Sequence, residues 1–210
     1  MTGGERHRAD VRYRRTARPD RSPEDPNPTL ERMLAECRAG RALDIATGSG
    51  RDARALAAAG WTVHAIDISR AVLERAQRRG LDDGLRIEWI LADVDRYGFA
   101  SGTYDLVTIC NFDARHRVPA IIEALVPGGV LIYDHYLQPA GDPGGQRSRY
   151  RFESNELLQR CANLEVRYYL EFQRERDGER RVRFVGQRPI EDGDDGGTAC
   201  LEYPLTPTLD

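Results

Sequence analysis

The sequence predicts an α/β fold in which a doubly wound, mostly parallel sheet ends in an antiparallel β-hairpin. Short apolar runs alternate with stretches of helical periodicity along most of the chain, which is typical of a parallel sheet with helices on both faces. A glycine-rich turn joins the first apolar run to a helix. Near the end of the chain, two alternating runs flank Asp177-Gly178, a dipeptide that favours a hairpin turn.

The first half of the chain is predicted to contain three strands, the first two of which are followed by helices. Asn27 and Pro28 suit the N-cap and first position of a helix that precedes the first strand. Glycines are expected to end the helices that follow, because a glycine readily adopts the backbone conformation found after a helix. The predicted strands are 42–46, 61–66 and 85–91, and the predicted helices after the first two are 51–59 and 70–79, the latter ended by Gly80.

The second half begins with an apolar strand and ends in the hairpin. A helix over 115–125 is expected to lead into a sharp turn at Pro127-Gly128-Gly129. Ser154 is expected to open a further helix, because serine is a favourable N-cap. The predicted strands are 104–110, 130–133, 164–174 and 181–187, and the predicted helices are 115–125 and 154–162.

Composition divides the chain into three segments. Residues 1–26 are rich in Arg and Pro and are expected to be flexible, with Tyr13 part of a lid over a ligand. Residues 27–188 hold the alternating elements and form the predicted domain. Residues 189–210 are acidic and Gly-rich, so we expect a disordered tail.

Composition also restricts the class of protein. A chain of 210 residues can bury one core, and no apolar stretch or signal peptide indicates a membrane or secreted protein, so a cytoplasmic location is predicted. The net charge of −3 makes nucleic acid an unlikely partner. The four cysteines lack C-x-x-C spacing, so no metal site or disulfide framework is predicted. Oligomeric state is left open.

The turn Thr47-Gly48-Ser49-Gly50 is the first candidate ligand site. It follows a buried strand and opens a helix, whose N-terminus presents free N–H groups and a positive dipole end. Glycines there let the backbone bend and let a ligand approach closely. The residues predicted to bind a cofactor at this turn are Asp44, Ala46, Thr47, Gly48, Gly50 and Arg51.

Polar side chains end the next three strands, where an open α/β sheet binds its ligand. Asp67 can accept hydrogen bonds from both hydroxyls of a ribose. Asp93, on the following strand, can accept from an adenine amino group, with Ile68 and Val94 as apolar walls. Asn111 ends the fourth strand. A ligand made of adenine, ribose and an amino-acid chain is S-adenosylmethionine, which is therefore the predicted cofactor.

These stretches resemble the successive motifs of the class I S-adenosylmethionine-dependent methyltransferases, which have a Rossmann-like fold. The resemblance covers residues 27–188 and is greatest to the small tellurite-resistance-type enzymes. Ala46 stands where that motif has its first glycine, and residues 112–115 depart from the tellurite-resistance pattern. The motifs are LDIATGSG, HAIDIS, LADVD, YDLVTICNF and LVPGGVLIYD, with Arg12-Tyr13, Asn27-Pro28 and Gly50-Arg51-Asp52-Ala53 shared with the subgroup.

The resemblance implies in-line transfer of a methyl group, in which the enzyme mainly positions and desolvates its substrates. Because the chain has no separate substrate domain, its own loops must form the acceptor pocket, which favours a small-molecule acceptor. The predicted catalytic residues are His116 and His135, as candidate bases, together with Asn111.

Three other functions remain open at this stage. A nucleic-acid or protein methyltransferase would use the arginines to contact phosphates or acidic groups. An NAD-binding oxidoreductase would explain the glycine turn, with Ala53 as the third small residue, but would have no need of Asp93. A non-catalytic protein would keep the cofactor pocket without turnover.

Overall fold

The computed structural model describes residues 25–139, 141, 148–175 and 177–190. The predicted N-terminal lid and acidic tail lie outside these residues. Helices α1–α5 span Pro28–Glu36, Arg51–Ala58, Arg70–Asp82, Val118–Ala124 and Glu156–Arg160. Strands β1–β7 span Arg41–Ile45, Thr62–Asp67, Ile87–Leu91, Tyr104–Cys110, Leu125–Tyr136, Glu165–Gln173 and Arg180–Gln187.

The strands described form one seven-stranded sheet in the order β3-β2-β1-β4-β5-β7-β6. Strands β1 to β5 pair in parallel, whereas β7 pairs antiparallel to both β5 and β6. The predicted fold class is therefore confirmed. Because β7 runs in the opposite direction, its first residues lie at the same sheet edge as the carboxyl ends of β1 to β5. We call this the ligand edge.

Each face of the sheet carries its own apolar core. On one face, α1 and α2 pack against β1, β2, β4 and β5 through residues such as Leu30, Met33, Leu56 and Leu106. On the other face, α4 and α5 cover β4, β5 and β7 through residues such as Ile121 and Leu157. Side chains of successive strand residues alternate between these two cores, so strand position decides which face a functional side chain reaches.

Asn27 caps α1 as predicted, accepting a hydrogen bond from the Thr29 N–H at 2.8 Å. Gly80 does not end α3, which continues to Asp82. A Cβ at Gly80 would lie 3.3 Å from Cζ2 of Trp89, so this glycine gives the indole room against the helix. Packing against β3 therefore outweighs the low helix propensity of glycine at this position.

The turn predicted at Pro127-Gly128-Gly129 is a bulge inside β5, which runs from Leu125 to Tyr136: Gly128 has a φ of +77°, and Val130 is the next residue after Leu125 to pair with β4. Leu125 pairs with Tyr104 of β4. The N–H of Gly128 donates to the Arg188 carbonyl, and the N–H of Arg188 donates to the Gly129 carbonyl. Backbone partners on both sides keep this bulge within the sheet.

The predicted helices on the second face are shorter in the structure. Helix α4 begins at Val118 instead of residue 115, because Arg115 is held in the preceding loop by Asp113 and Glu156. Ser154 does not cap α5; its hydroxyl donates to Glu171 of β6 at 2.6 Å. A register shift in β6 leaves Val166 half exposed, which interrupts the predicted apolar face of that strand.

None of the helices in the described part of the chain is long and apolar enough to cross a membrane.

Candidate functional site

The glycine turn has the strained backbone that its sequence predicts. Gly48 and Gly50 have φ angles of +57° and +76°, and Ala46, just before them, has +55°. This left-handed conformation costs a residue with a side chain about 1–2 kcal/mol, which explains why related motifs place glycine where Ala46 stands. Such strain is retained where the surroundings fix the conformation, as at ligand-binding turns.

Gly50 is required for a second reason. A Cβ on this residue would lie 2.6 Å from Cη2 of Trp89 and 3.0 Å from the Cβ of Ala76. Trp89 thus packs directly against Gly50, the residue that precedes α2. The turn is supported from below by the indole, and this support comes from a strand more than thirty residues later.

Asp67 links the end of β2 to the glycine turn. One carboxylate oxygen accepts the Gly48 N–H at 3.0 Å, and the other accepts the Ser69 N–H at 2.9 Å. A carboxylate is also the type of acceptor that the hydroxyls of a ribose require. The residue predicted to bind ribose therefore also fixes the turn beside which the ribose would lie.

Asp67 and Asp93 line one cavity of about 480 Å³ at the ligand edge. Oδ1 of Asp93 accepts the N–H of Asp95 at 3.1 Å. Oδ2 is buried and has no hydrogen-bond partner among the described residues; Arg96 Nε lies 3.8 Å away. The remaining lining residues are Ala46, Ile68, Val94, Asp95, Arg96 and Phe112.

These residues fit the predicted cofactor. A buried carboxylate oxygen without a donor is costly, and an adenine amino group would supply that donor. Val94 and Phe112 provide apolar surface for the base, while Asp67 stands one strand away, at the position expected for the ribose. The structure thus brings Ala46, Asp67, Ile68, Asp93 and Val94 together as the sequence predicted.

The other predicted cofactor residues form a buried polar layer under the turn. The Thr47 hydroxyl donates to Asp44 at 2.5 Å, and Asp52 accepts the N–H of Asn27 at 2.8 Å. Burial, together with the nearby Asp52 carboxylate, raises the pKa of Asp44 to about 8. Burial also raises the pKa of Asp52. Asp44 and Thr47 thus stabilise the turn from beneath and are not part of the cavity wall.

Arg51 connects the turn to the end of β4. Its Nε lies 3.3 Å from Asp52, and its Nη2 donates to Cys110 Sγ at 3.1 Å. The Asn111 amide also donates to Cys110 Sγ, at 3.3 Å. Burial and two neighbouring carboxylates raise the pKa of the Cys110 thiol to about 12. Cys110 is therefore a neutral packing group between the cofactor side and Asn111.

Asn111 has a φ of +58° and follows the last residue of β4. Its N–H donates to the Asp134 carbonyl at 2.9 Å, and its side-chain oxygen accepts from Arg181 at 2.7 Å. Both ends of the amide side chain are therefore held, and Asn111 is fixed at the ligand edge where the sequence predicts it.

Sequence reasoning did not identify the arginines of β7. Arg181 and Arg183 both bind the buried Asp134 carboxylate of β5, Arg181 from Nη2 and Arg183 from Nε at 3.1 Å. These two guanidinium groups keep the pKa of Asp134 below its usual range despite its burial. A signal was present: arginines alternate with apolar residues over 181–184, which places two charges on one strand face.

The two candidate bases lie in different surroundings. His135 is buried, donates from Nε2 to the Tyr150 carbonyl at 2.7 Å, and contacts the Phe152 ring. Burial lowers its pKa to about 4, so the ring is neutral. His116 is more than half exposed and lies 2.8 Å from Asp95. Neither residue contacts Asn111, and their role as bases stays a prediction.

Among the described residues, no group of His, Cys, Asp and Glu side chains could hold a metal ion.

Comparison with known proteins identifies the segment that carries these motifs. Residues 42–129 match the family described as a methyltransferase domain. The demethylmenaquinone methyltransferase of Clavibacter sepedonicus is 34% identical over 114 residues, 51% of this chain and 46% of that protein. The chain thus spans about half the length of this curated relative. The match confirms the methyltransferase motifs within residues 42–129.

Solved structures agree with the fold. TehB from Haemophilus influenzae superposes with a TM-score of 0.67 at 16% identity, over 77% of this chain and 62% of that one. An S-adenosylmethionine-dependent methyltransferase from Methanosarcina mazei gives a TM-score of 0.64 at 20% identity, over 80% of this chain and 100% of that one. At these identities the likeness concerns the class I fold alone.

Proposed function

Since residues 42–129 match the methyltransferase-domain family and the chain has the class I fold, we propose that it transfers a methyl group from S-adenosylmethionine to a small-molecule acceptor. The observation that carries the proposal is the buried Asp93 oxygen, which lacks a donor and lines the same cavity as Asp67. The demethylmenaquinone methyltransferase relative supports a small organic acceptor.

The chain's residues divide the task of binding. Asp93 accepts from the adenine amino group, Asp67 accepts from the ribose hydroxyls, and the backbone of 46–50 meets the amino-acid part. Asn111, held by Arg181 and Asp134, lies at the ligand edge beyond β4 and limits the approach of the acceptor. The bound cofactor supplies a methyl group on a positively charged sulfur. Positioning and exclusion of water are then the main contributions of the protein.

Binding of S-adenosylhomocysteine to the Asp93→Asn variant tests the proposal. The remaining oxygen of the amide is needed by the Asp95 N–H, so the new NH₂ group faces the adenine amino group, donor against donor. We expect the dissociation constant to rise by about tenfold or more, the value of one charge-assisted hydrogen bond. Isothermal titration calorimetry measures it.

Asp83→Asn is the matched control, because Asp83 is exposed, pairs with Arg54 and does not line the cavity. It should change the dissociation constant less than about twofold, since exposed ion pairs contribute little. If the unmodified protein bound NAD instead of S-adenosylhomocysteine, the oxidoreductase alternative would replace this proposal. Equal affinity of the Asp93→Asn variant and the unmodified protein would remove the adenine role of Asp93.

A further inference from the structure

Arg181 lies where the cofactor side and the acceptor side of the site meet. It is the second residue of β7, opposite Tyr136 of β5, and therefore stands at the ligand edge. The residue is 4% exposed. An arginine is seldom this buried unless its charge is used, since removing a guanidinium from water is costly.

The contacts of Arg181 fix its orientation without using all of its donors. Its guanidinium carbon lies 4.2 Å from the centre of the Tyr136 ring, which covers one face of the planar group. Its hydrogen bonds to Asn111 and Asp134 both come from Nη2. Among the described residues, none accepts from Nε or Nη1. Each bidentate edge of a guanidinium includes Nη2, so Nε and Nη1 of Arg181 are left as separate donors, each of which can bind one oxygen of an anion.

Nearby charges favour an anion at this position. Arg181 shares the Asp134 carboxylate with Arg183, and Arg51 is close enough to Asp134 to interact with it electrostatically. The raised pKa of Asp44 makes that carboxyl a weak source of negative charge at neutral pH. Three guanidinium groups, those of Arg51, Arg181 and Arg183, thus face the Asp134 and Asp52 carboxylates, and this excess of positive charge attracts a further negative group.

We propose that Arg181, oriented by Asn111 and Tyr136, binds a carboxylate or similar oxyanion during methyl transfer. This inference rests on the proposed function, because it places the anion on a molecule bound at the ligand edge. Two molecules could carry the group: the cofactor, through its α-carboxylate, or the acceptor. The chemistry recognised by Arg181 is the same in both cases.

Two ligands separate these sources. S-adenosylhomocysteine carries the α-carboxylate, whereas 5′-methylthioadenosine has the same adenine and ribose without it. Titration of both ligands into Arg181→Met measures the contribution of the guanidinium. If the cofactor carries the anion, the dissociation constant of S-adenosylhomocysteine rises about tenfold or more, and that of 5′-methylthioadenosine does not change.

If the acceptor carries the anion, both dissociation constants stay unchanged. Acetate then raises the unfolding temperature of the protein saturated with S-adenosylhomocysteine, relative to chloride at equal ionic strength, and Arg181→Met abolishes this increase. The proposal is overturned when Arg181→Met alters neither the affinity for S-adenosylhomocysteine nor the effect of acetate. Absence of binding of both nucleosides to the unmodified protein would instead reject the proposed function.

Arg180→Met is the matched control. Arg180 is the adjacent residue of β7, donates to the Gln138 carbonyl at 3.0 Å and is partly exposed, so its loss removes the same charge outside the cluster. Arg181→Lys guards against misfolding, since it keeps the charge beside Asp134 but loses the fixed Nε and Nη1 donors. It should reproduce the effect of Arg181→Met on the ligand with the anion while the circular dichroism spectrum stays unchanged.

Discussion

The ligand edge of the sheet has two halves that are built differently. Beyond β1, β2 and β3, the site consists of a turn and two aspartates, and the aspartates accept from backbone N–H groups 2 to 19 residues away in the chain. Beyond β4, β5 and β7, it consists of Asn111, Asp134 and two arginines that are 47 to 70 residues away from their partners. Local backbone contacts thus form one half, and buried charges from distant strands form the other.

This difference indicates which half of such a site can accept amino-acid substitutions. The first half presents apolar surface and a carboxylate oxygen of Asp93 that has no hydrogen-bond donor. Both face a cofactor whose structure does not vary. The second half is a closed network in which each charged group depends on another, so the acceptor can be changed only by changing several residues together. Substitution of one residue in each half should therefore have different consequences for folding and for binding.

The largest effect is expected in the second half, for Asp134→Ala. This change leaves Arg181 and Arg183 buried without their common carboxylate, and removal of one partner from a buried ion pair costs about 3–5 kcal/mol. Urea unfolding followed by circular dichroism measures the free energy. Glu88→Ala, which removes the exposed partner of His64, is the control and should cost less than about 1 kcal/mol. Equal losses in the two variants would contradict the network.

In the first half, Gly50→Ala should have an intermediate effect. Both Gly50 and Gly84 have φ above +70°, so alanine is strained at either position. At Gly50 the new Cβ would in addition meet Trp89, whereas at Gly84 no atom lies within 4 Å. Overpacking should make Gly50→Ala the more destabilising by about 1–3 kcal/mol.

The matched pair Gly50→Ala and Gly84→Ala isolates the steric part of this effect, because the backbone strain is common to both. Urea unfolding gives the difference in stability, and titration with S-adenosylhomocysteine gives the difference in affinity. We expect only Gly50→Ala to weaken ligand binding, since only this residue belongs to the glycine turn. The same loss of stability at both positions would mean that Trp89 moves aside at no cost.

The two halves also differ in how far the sequence predicts them. The order of strands and helices, the glycine turn, Asp67 and Asp93 follow from local patterns, because apolar runs, glycine turns and polar strand ends are recognised from neighbouring residues. Gly80 was mispredicted, and the strand around Gly128 begins earlier than predicted, since a tryptophan of β3 and backbone partners in β4 and after β7 decide their conformations. Arg181 was missed for the same reason: only the antiparallel pairing of β7 with β5 brings it to Asn111.

His135 illustrates the limit most clearly. At the end of a strand, a histidine is a reasonable candidate base, and the sequence contains nothing that separates one face of β5 from the other at this point. In the structure Asp134 joins the arginine network while His135, one residue later, packs against Phe152 on the opposite core. A single position along the strand thus separates a charged site residue from a neutral buried ring.

The smallest effect over one pH unit is expected for Asp44, beneath the glycine turn. Its pKa is raised from 3.8 to about 8, so the folded protein keeps a proton that the unfolded chain has already lost. Stability from this group is therefore complete below about pH 4 and is lost as the pH rises through 8. The slope is at most about 1.4 kcal/mol per pH unit for one proton.

Comparison of the free energy of unfolding at about pH 6.5 and pH 8 separates the contribution of Asp44 from that of His135. The pKa of His135 is lowered from 6.5 to about 4, so its contribution is present above pH 6.5 and is lost only as the pH falls through 4. Asp52, whose pKa is also raised, acts in the same direction as Asp44. Urea unfolding of Asp44→Asn should therefore show a smaller loss of stability across this range than the unmodified protein, while the exposed variant Asp83→Asn keeps the full loss. An unchanged slope in Asp44→Asn would mean that Asp44 is ionised beneath the turn, with Arg51 as its counterion.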